Sequence, residues 1–222
     1  MRLAIHKSVR SLNPKCTLGC LIIRNIVMHG ASSSLAQDFF HLQVAAARFY
    51  KIDELMDIPP ILGVRSIYKK AEFNPSRHNA FSEEVVRRVI QRKESDYVNS
   101  AVMINHYCAI KFLLPFGLYD LDQIDGDVSY QLGAEGTFIN LNGIPVPAHE
   151  KPFLTDAKGA FGSFNADAFR TKVTLATRNI LLVVYAGEEV EQTELTNILE
   201  FTKGMILCNN GGTVEMQAII TA

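Results

Sequence analysis

A long apolar segment that ends at a proline constrains the fold more than any other part of the chain. The run VNSAVMINHYCAIKFLLP, residues 98–115, is apolar nearly all round, which predicts a central helix with neighbours on every side. Pro115 ends this helix, because proline has no backbone N–H to donate. Asn105 points about 100° away from His106, into otherwise apolar surroundings. His106 fits a satisfied helix histidine better than a base, since no serine or cysteine nucleophile can be placed beside it.

The remaining pattern predicts a mixed α+β domain with helices early and strands mostly late. Two apolar runs, TLGCLIIRNIVM at residues 17–28 and NILLVVYAG at residues 179–187, are typical of buried strands. Helical spacing of apolar residues predicts helices at residues 35–49, 61–70, 81–93 and 188–203. Short extended runs between turn signals such as Asn142-Gly143 predict strands at residues 127–132, 137–141, 144–148 and 213–220.

Composition and charge exclude several classes of protein. Of the 222 residues, 48% are hydrophobic and 20% are charged, which is typical of a packed globular protein and not of a disordered one. The net charge of −1 argues against a polycation that binds DNA. The longest apolar run near the start, LGCLII, is far shorter than a membrane span, and no signal-peptide cleavage site follows it. The sequence therefore predicts a cytoplasmic protein with no membrane partner.

Two groups of residues that could bind metal favour a structural interpretation. Cys16 and Cys20 have no second pair of ligands to complete a zinc site, which indicates buried thiols. The acids Asp120, Asp122 and Asp125 lie close together, but a hard cation needs more convergent oxygen ligands than this stretch supplies. Aspartates also stabilise local turns, so the stretch is interpreted as a turn between two layers of the fold. We expect no metal and no cofactor.

The charge is distributed unevenly, and one region is strongly basic. Basic residues outnumber acidic ones by more than two to one between residues 65 and 93. Such a face could meet the phosphate groups of a nucleic acid. Charge runs also mark the solvated faces of helices, and Arg65 and Arg77 could equally pair with local acids. The residues alone leave both interpretations open.

The stretch FNADAFRT, residues 164–171, is the best candidate for a functional site. It places polar residues between aromatic ones, immediately before a buried strand. Arg170 could hold a carboxylate or phosphate through two parallel hydrogen bonds. Asp167 could orient a water molecule or accept a hydrogen bond from an amino group. Alternatively, Asp167 and Arg170 pair with each other and only fix a loop.

Five segments, taken in order and at their spacings, resemble a known family. They are RSIYKKAEFNPSR, SEEVVRRVIQRK, N-x-x-V-x-I-N-x-Y across residues 99–107, LLPFGLYDLDQIDGDV and FNADAFRTKVTLATRNILLVV. Together they resemble the editing domain of the phenylalanyl-tRNA synthetase beta subunit, and more closely free-standing versions of that domain. The similarity is strongest at residues 60–186. It implies a single α+β domain over residues 1–222, with a three-layer ββα sandwich fold.

The resemblance implies a role in translation fidelity. A synthetic pocket cannot strongly exclude an amino acid that only adds a hydroxyl group, so a second site must remove it from the tRNA. The implied function is therefore a trans-editing-type hydrolase that deacylates misacylated tRNA. The alternative is a non-catalytic binding module for an amino acid or an aminoacyl-tRNA. Nothing in the chain resembles the aminoacylation core, so no aminoacylation activity is expected.

The resemblance also implies a set of site residues, none of which is assigned as catalytic. The residues expected to bind the substrate are Asn105, Gly117, Asn165, Asp167, Arg170, Thr171 and Asn209. Those expected to contact tRNA are Arg65, Arg77 and Arg88. The chain departs from the synthetases at two positions, because Gly117 stands where they carry a histidine and Val183 where they carry a glutamate. The expected partners are tRNA and an amino-acid-like small molecule whose identity stays open.

Overall fold

The central helix and the two apolar runs form the middle of the fold. The computed structural model describes residues 1–70, 80–93, 99–134, 136–149 and 151–222. The helices are α1 (Lys7–Leu12), α2 (Ser33–Phe49), α3 (Pro59–Lys70), α4 (Phe81–Ile90), α5 (Ser100–Phe112) and α6 (Gln192–Asn210). The strands are β1 (Leu3–Ile5), β2 (Thr17–Arg24), β3 (Phe116–Asp120), β4 (Val128–Leu132), β5 (Thr137–Ile139), β6 (Pro145–Pro147), β7 (Pro152–Asp156), β8 (Gly159–Gly162), β9 (Ile180–Ala186) and β10 (Thr213–Thr221).

Two four-stranded sheets and a layer of helices stack into three layers. The first sheet is antiparallel with the strand order β10-β2-β9-β3, and the second has the order β1-β4-β7-β8. Helices α5 and α6 pack on one face of the first sheet, where Gly19 of β2 lies against Leu195 of α6. The second sheet covers the opposite face, where the rings of Tyr130 and Tyr185 lie 5.6 Å apart. The α+β class predicted from the sequence is confirmed.

Strand β9 is buried along its whole length because it has a neighbouring strand on each side and a covered layer on each face. Its pairing with β3 places Gly117 directly opposite Val183. Tyr119 lies two residues after Gly117 and therefore shares its face of β3. That face points to the second sheet, where the Tyr119 ring meets Phe161 edge-on at 5.1 Å.

Helix α5 occupies the central position that its apolar sequence predicts. It begins after Asn99, whose side-chain oxygen accepts a hydrogen bond from the backbone N–H of Val102 at 3.0 Å. It ends at Phe112, and Leu113 then adopts a left-handed conformation with a φ of 56°. This reversal before Pro115 directs the chain into β3, so α5 and β3 form two adjoining walls of the site described below.

The acidic stretch after β3 forms a turn between layers. Asp120 accepts hydrogen bonds from the Thr177 hydroxyl at 2.7 Å and from the backbone N–H of Asp122 at 3.1 Å. The carboxylate of Asp122 accepts the side-chain amide of Asn179 at 2.9 Å from each of its two oxygens. These contacts tie the 3-10 turn at Leu121–Gln123 to the loop that precedes β9.

Residues that could bind a metal ion do not cluster within the described ranges, where no group of three or more His, Cys, Asp or Glu side chains converges. Cys16 and Cys20 are buried free thiols, as the sequence indicates. Over the same ranges, no helix combines the length and apolar character needed to cross a membrane.

Candidate functional site

A cleft of about 720 Å³ opens between helices α4 and α5, strand β3 and the loop at residues 167–175. We refer to this space as the cleft. Its walls are largely apolar and include Phe81, Val85, Val102, Leu118, Val173 and Leu175. Its polar lining includes Glu84, Arg88, Asn105, His106, Asp167 and Thr171. A mostly apolar hollow with a few convergent polar groups is the usual form of a small-molecule site.

Asn105 lines the cleft and has a buried acceptor atom in its side chain. Its side-chain nitrogen donates to the backbone carbonyl of Phe116 at 3.0 Å, which fixes the amide plane between α5 and the start of β3. Its Oδ1 is buried and has no hydrogen-bond partner among the described residues. A buried acceptor without a donor costs free energy, so a ligand N–H or O–H that reached it would recover that cost.

Asp167 is an ionisable, partly buried residue in the lining of the cleft. Its Oδ1 accepts a hydrogen bond from the Tyr119 hydroxyl at 2.7 Å, and the Tyr119 and Tyr185 hydroxyl oxygens lie 3.0 Å apart. Burial raises the pKa of Asp167 to about 7, although hydrogen bonds from Tyr119 and from the backbone of Ser163 act in the opposite direction. Both protonation states of this carboxyl group are therefore populated near neutral pH.

Two glycines make room for the Tyr119 hydroxyl. A Cβ atom added at Gly117 or at Gly162 would lie 2.2 Å from the Tyr119 Oη. Both positions must therefore lack a side chain for Tyr119 to reach Asp167. Gly117 itself does not line the cleft, because the Tyr119 ring covers it. Tyr119 therefore occupies the space next to Gly117 on the face of β3 that points to the second sheet.

Sequence reasoning missed Tyr119 and Tyr185, although a signal for them exists. Tyr119 follows Gly117 at i+2 on one strand, and Tyr185 follows Val183 at i+2 on the strand that pairs with it. Residues two apart on a strand share a face, so the two tyrosines had to lie beside Gly117 and Val183. Recognising them required knowledge that β3 and β9 pair.

His106 and Arg88 lie together in the wall formed by α4 and α5. Burial, reinforced by the positive charge of Arg88, lowers the pKa of His106 to about 4. Its ring meets Phe81 edge-on at 5.1 Å. The imidazole is therefore neutral at physiological pH, and its basicity is too low for it to compete with Asp167 as a proton acceptor.

Arg170 is held outside the cleft by four hydrogen bonds. Its guanidinium group donates to both carboxylate oxygens of Asp156, at 3.0 and 2.7 Å, and to the backbone carbonyls of Gln123 and Gly159. Although burial raises it, the pKa of Asp156 is held below its ordinary value by the Arg170 hydrogen bonds and by backbone N–H groups. Asp167 and Arg170 thus have different partners, and Arg170 anchors the 3-10 turn at Phe169–Thr171 to the second sheet.

The other predicted substrate-binding residues divide between the cleft and its surroundings. Thr171 lines the cleft, and its hydroxyl donates to the backbone carbonyl of Ala168 at 3.3 Å. Asn165 braces the preceding loop, where its side-chain oxygen accepts the Ser163 hydroxyl at 2.9 Å. Asn209 lies at the end of α6, outside the cleft lining, and its side-chain amide donates to the backbone carbonyl of Met205.

The residues predicted to contact tRNA have three different placements. Arg65 is buried and donates to the carboxylate of Glu83 at 2.6 Å, and Arg87 binds the same carboxylate. Arg88 lines the cleft. Arg77 lies outside the described residues. Arg65 and Arg87 both bind the buried Glu83, so part of the positive charge of residues 65–93 is neutralised within the protein.

Comparisons with known proteins identify a family and a similar structure. A family model described as "B3/4 domain" matches residues 67–197, which is more than half of the chain. An N-terminal fragment of the phenylalanyl-tRNA synthetase beta-subunit from Pyrococcus horikoshii aligns with 11% sequence identity and a TM-score of 0.49. The alignment covers 100% of this chain and 54% of that fragment, so the chain spans about half of its length. No curated protein matches the chain.

Proposed function

The chain belongs to the B3/4 domain family, which links it to phenylalanyl-tRNA synthetase beta-subunit-like proteins, and from this premise we propose that it is a trans-editing-type hydrolase. In this proposal residues 1–222 act as one domain in the cytoplasm. The substrate is a misacylated tRNA, and the reaction cleaves the ester bond between the amino acid and the terminal ribose. The observation that supports it best is that an unsatisfied acceptor, Asn105, and a carboxyl group of raised pKa, Asp167, line one cleft.

Asn105 and Asp167 have complementary roles in the proposed reaction. The α-amino group of the substrate donates an N–H to the Asn105 Oδ1, which fills the vacant acceptor. The ionised form of Asp167 accepts a proton from water while the water oxygen attacks the ester carbonyl carbon. The tetrahedral intermediate then releases the ribose oxygen, which takes the proton back from Asp167. The products are a free amino acid and an uncharged tRNA.

Tyr119 is a positioning residue in this scheme. Its hydroxyl donates to one carboxylate oxygen of Asp167, which leaves the second oxygen for the proton of the attacking water. Tyr185 holds the Tyr119 hydroxyl in turn, so the carboxylate is oriented by two side chains that are anchored in the central sheet. A general base near pKa 7 is well matched to catalysis at neutral pH.

Deacylation of a panel of mischarged tRNAs tests the proposal. The expected result is hydrolysis of at least one pair above the spontaneous rate, with Asp167→Asn lowering kcat by about 10²- to 10⁴-fold, the usual contribution of a general base. Asp122→Asn is the matched control, since it removes a carboxylate that serves the turn after β3 and does not line the cleft. Ester loss at the spontaneous rate for every pair would refute the hydrolase.

The second candidate is a binding module, and the hydrogen bond that Asp167 accepts from Tyr119 favours it. That carboxyl group is already satisfied on one side by Tyr119, as a purely structural acid would be. Such a module would bind an aminoacyl-tRNA and release it unchanged. Two measurements test for such a module. A free amino acid that binds should raise the melting temperature. The affinity for tRNA should fall as the salt concentration rises, because phosphate contacts weaken, and no tRNA ester should be hydrolysed.

A further inference from the structure

A second cavity of about 550 Å³ adjoins the cleft and has no assigned role. It lies between the sheet strands β4, β7 and β8 and the two-stranded ribbon of β5 and β6. Ala168 and Phe169 line both this cavity and the cleft. The two cavities therefore lie on either side of these residues, and a ligand in one lies close to a ligand in the other.

The 3-10 turn at Phe169–Thr171 forms the partition between the two spaces. Arg170 lines the second cavity, Thr171 lines the cleft, and Phe169 lines both. The Phe169 side chain is 46% exposed, although it is a large aromatic residue on an ordered turn. The four hydrogen bonds of Arg170 hold this turn, so the ring is presented by a fixed backbone. The Lys172 Nζ lies 3.4 Å from the centroid of the Phe169 ring and covers one of its faces, so the opposite face is the one that can serve as a stacking platform.

The second cavity combines apolar surface with one exposed lysine at its edge. Phe138, Ile139 and Phe169 supply the apolar surface. Arg170 and Asp156 neutralise each other in a bidentate pair, so they contribute little net charge. Lys158 lies at the edge with a side chain that is 56% exposed, and it forms an exposed ion pair with Asp125 at 4.0 Å. Exposed ion pairs are weak, so a phosphate can compete with Asp125 for this lysine. This pattern suits a ligand with a planar ring and a single negative charge, which is the chemistry of a nucleotide.

We propose that the second cavity holds the nucleotide that precedes the esterified one, with its base against Phe169 and its phosphate near Lys158. This inference rests on the proposed function, because it assumes that the aminoacyl end of an RNA lies in the cleft. It adds a reason for selectivity. The preceding nucleotide supplies a base and a phosphate that a free amino acid ester lacks. The protein can therefore distinguish an RNA-linked ester from a free one by contacts made outside the cleft.

Puromycin and cytidylyl-puromycin test this site without any need for hydrolysis. Puromycin is an aminoacyl nucleoside joined by an amide, and the cytidylyl form adds one preceding nucleotide with its phosphate. We expect the cytidylyl form to bind about tenfold more tightly in calorimetry, in line with one stacked base. The salt dependence of its affinity should be steeper by about 0.7 in a log–log plot, as for one phosphate of a single strand.

Two variants and one control locate the effect. Phe169→Ala and Lys158→Gln should each reduce the tenfold preference to twofold or less, and Lys158→Gln should leave puromycin affinity unchanged, since Lys158 does not line the cleft. Lys51→Gln removes another exposed, ion-paired lysine, which lines neither cavity, and should keep the full preference.

The outcomes separate this inference from the proposed function. Equal affinity for the two compounds, or a preference that both variants retain, overturns the second site even if mischarged tRNA is hydrolysed. A tenfold preference that both variants abolish supports the second site even if every tRNA ester survives. Failure to bind either compound overturns the second site, and the deacylation assay then decides the hydrolase by itself.

Discussion

Replacement of Asp167 by asparagine should stabilise the protein at neutral pH and leave it unchanged in acid. The carboxyl group is buried in the lining of the cleft, and its pKa is raised from the ordinary 3.8 to about 7. Below pH 4 the group is protonated in both the folded and the unfolded chain, so the wild type carries no penalty there. Above pH 7 the folded protein must bury a carboxylate that the unfolded chain leaves in water. Asparagine has nearly the same shape and never carries that charge.

The size of the effect follows from linkage between protonation and folding. A difference of about 3 pKa units corresponds to about 4 kcal/mol, at 1.36 kcal/mol per unit. The wild type loses this stability progressively as pH rises from about 4 to about 7, because the unfolded chain releases the proton first. Total stability of a domain is typically about 5–15 kcal/mol, so the change is large enough to measure.

Urea denaturation gives the free energy of unfolding of the wild type and of Asp167→Asn at pH 5, 6, 7 and 8. The difference between the two free energies measures the effect, because the other titrating groups are the same in both proteins. Between pH 5 and pH 7 the advantage of Asp167→Asn should grow by about 2 kcal/mol and then level off. Asp53→Asn, at an exposed position, controls for the loss of one negative charge. A difference between Asp167→Asn and the wild type that stays constant within about 0.5 kcal/mol from pH 5 to pH 8 would refute the reasoning.

Three further substitutions examine the surroundings of the cleft. Tyr119→Phe removes a hydrogen bond that lowers the pKa of Asp167, so carboxyl NMR titration should show that pKa rising by about one unit. Gly117→Ala places a methyl group 2.2 Å from the Tyr119 Oη and should cost about 1–3 kcal/mol in urea denaturation. Arg65→Met leaves the buried Glu83 with Arg87 as its remaining ion pair; it should cost about 3 kcal/mol of stability while tRNA affinity at constant salt stays within twofold.

Much of the fold could be predicted because its central elements have unambiguous patterns. Helix α5 is apolar nearly all round and β9 is wholly apolar, and such segments have few places in a fold other than its middle. The turn at the acidic stretch was also predictable, since aspartate stabilises turns locally and no long-range information is required. These inferences depend on residues that are close together in sequence.

The site was predictable only in part, because its contacts are long-range. Asn105, Asp167 and Thr171, which the resemblance implies as substrate-binding residues, line one cleft. Arg170 pairs with Asp156 at the end of β7. The sequence contains no reason to prefer Asp156 over the nearby Asp167 as its partner. The register of the strands decides which charged side chains meet. A shift of one residue would turn each side chain of a strand to the opposite face of the sheet.

The case for a functional cleft depends on two of its residues, Asn105 and Asp167, that lower the stability of the free protein. Buried polar atoms without partners occur elsewhere in the described chain, for example at Ser82 and Asn99, so an unsatisfied Asn105 is not by itself a sign of function. Asn105 differs because its cleft also contains Asp167, whose ionised form costs stability at neutral pH. An asparagine or leucine at position 167 would remove that cost, and selection for stability alone has no reason to keep the acid. A ligand that donates hydrogen bonds to both groups would turn two costs of the free protein into binding energy.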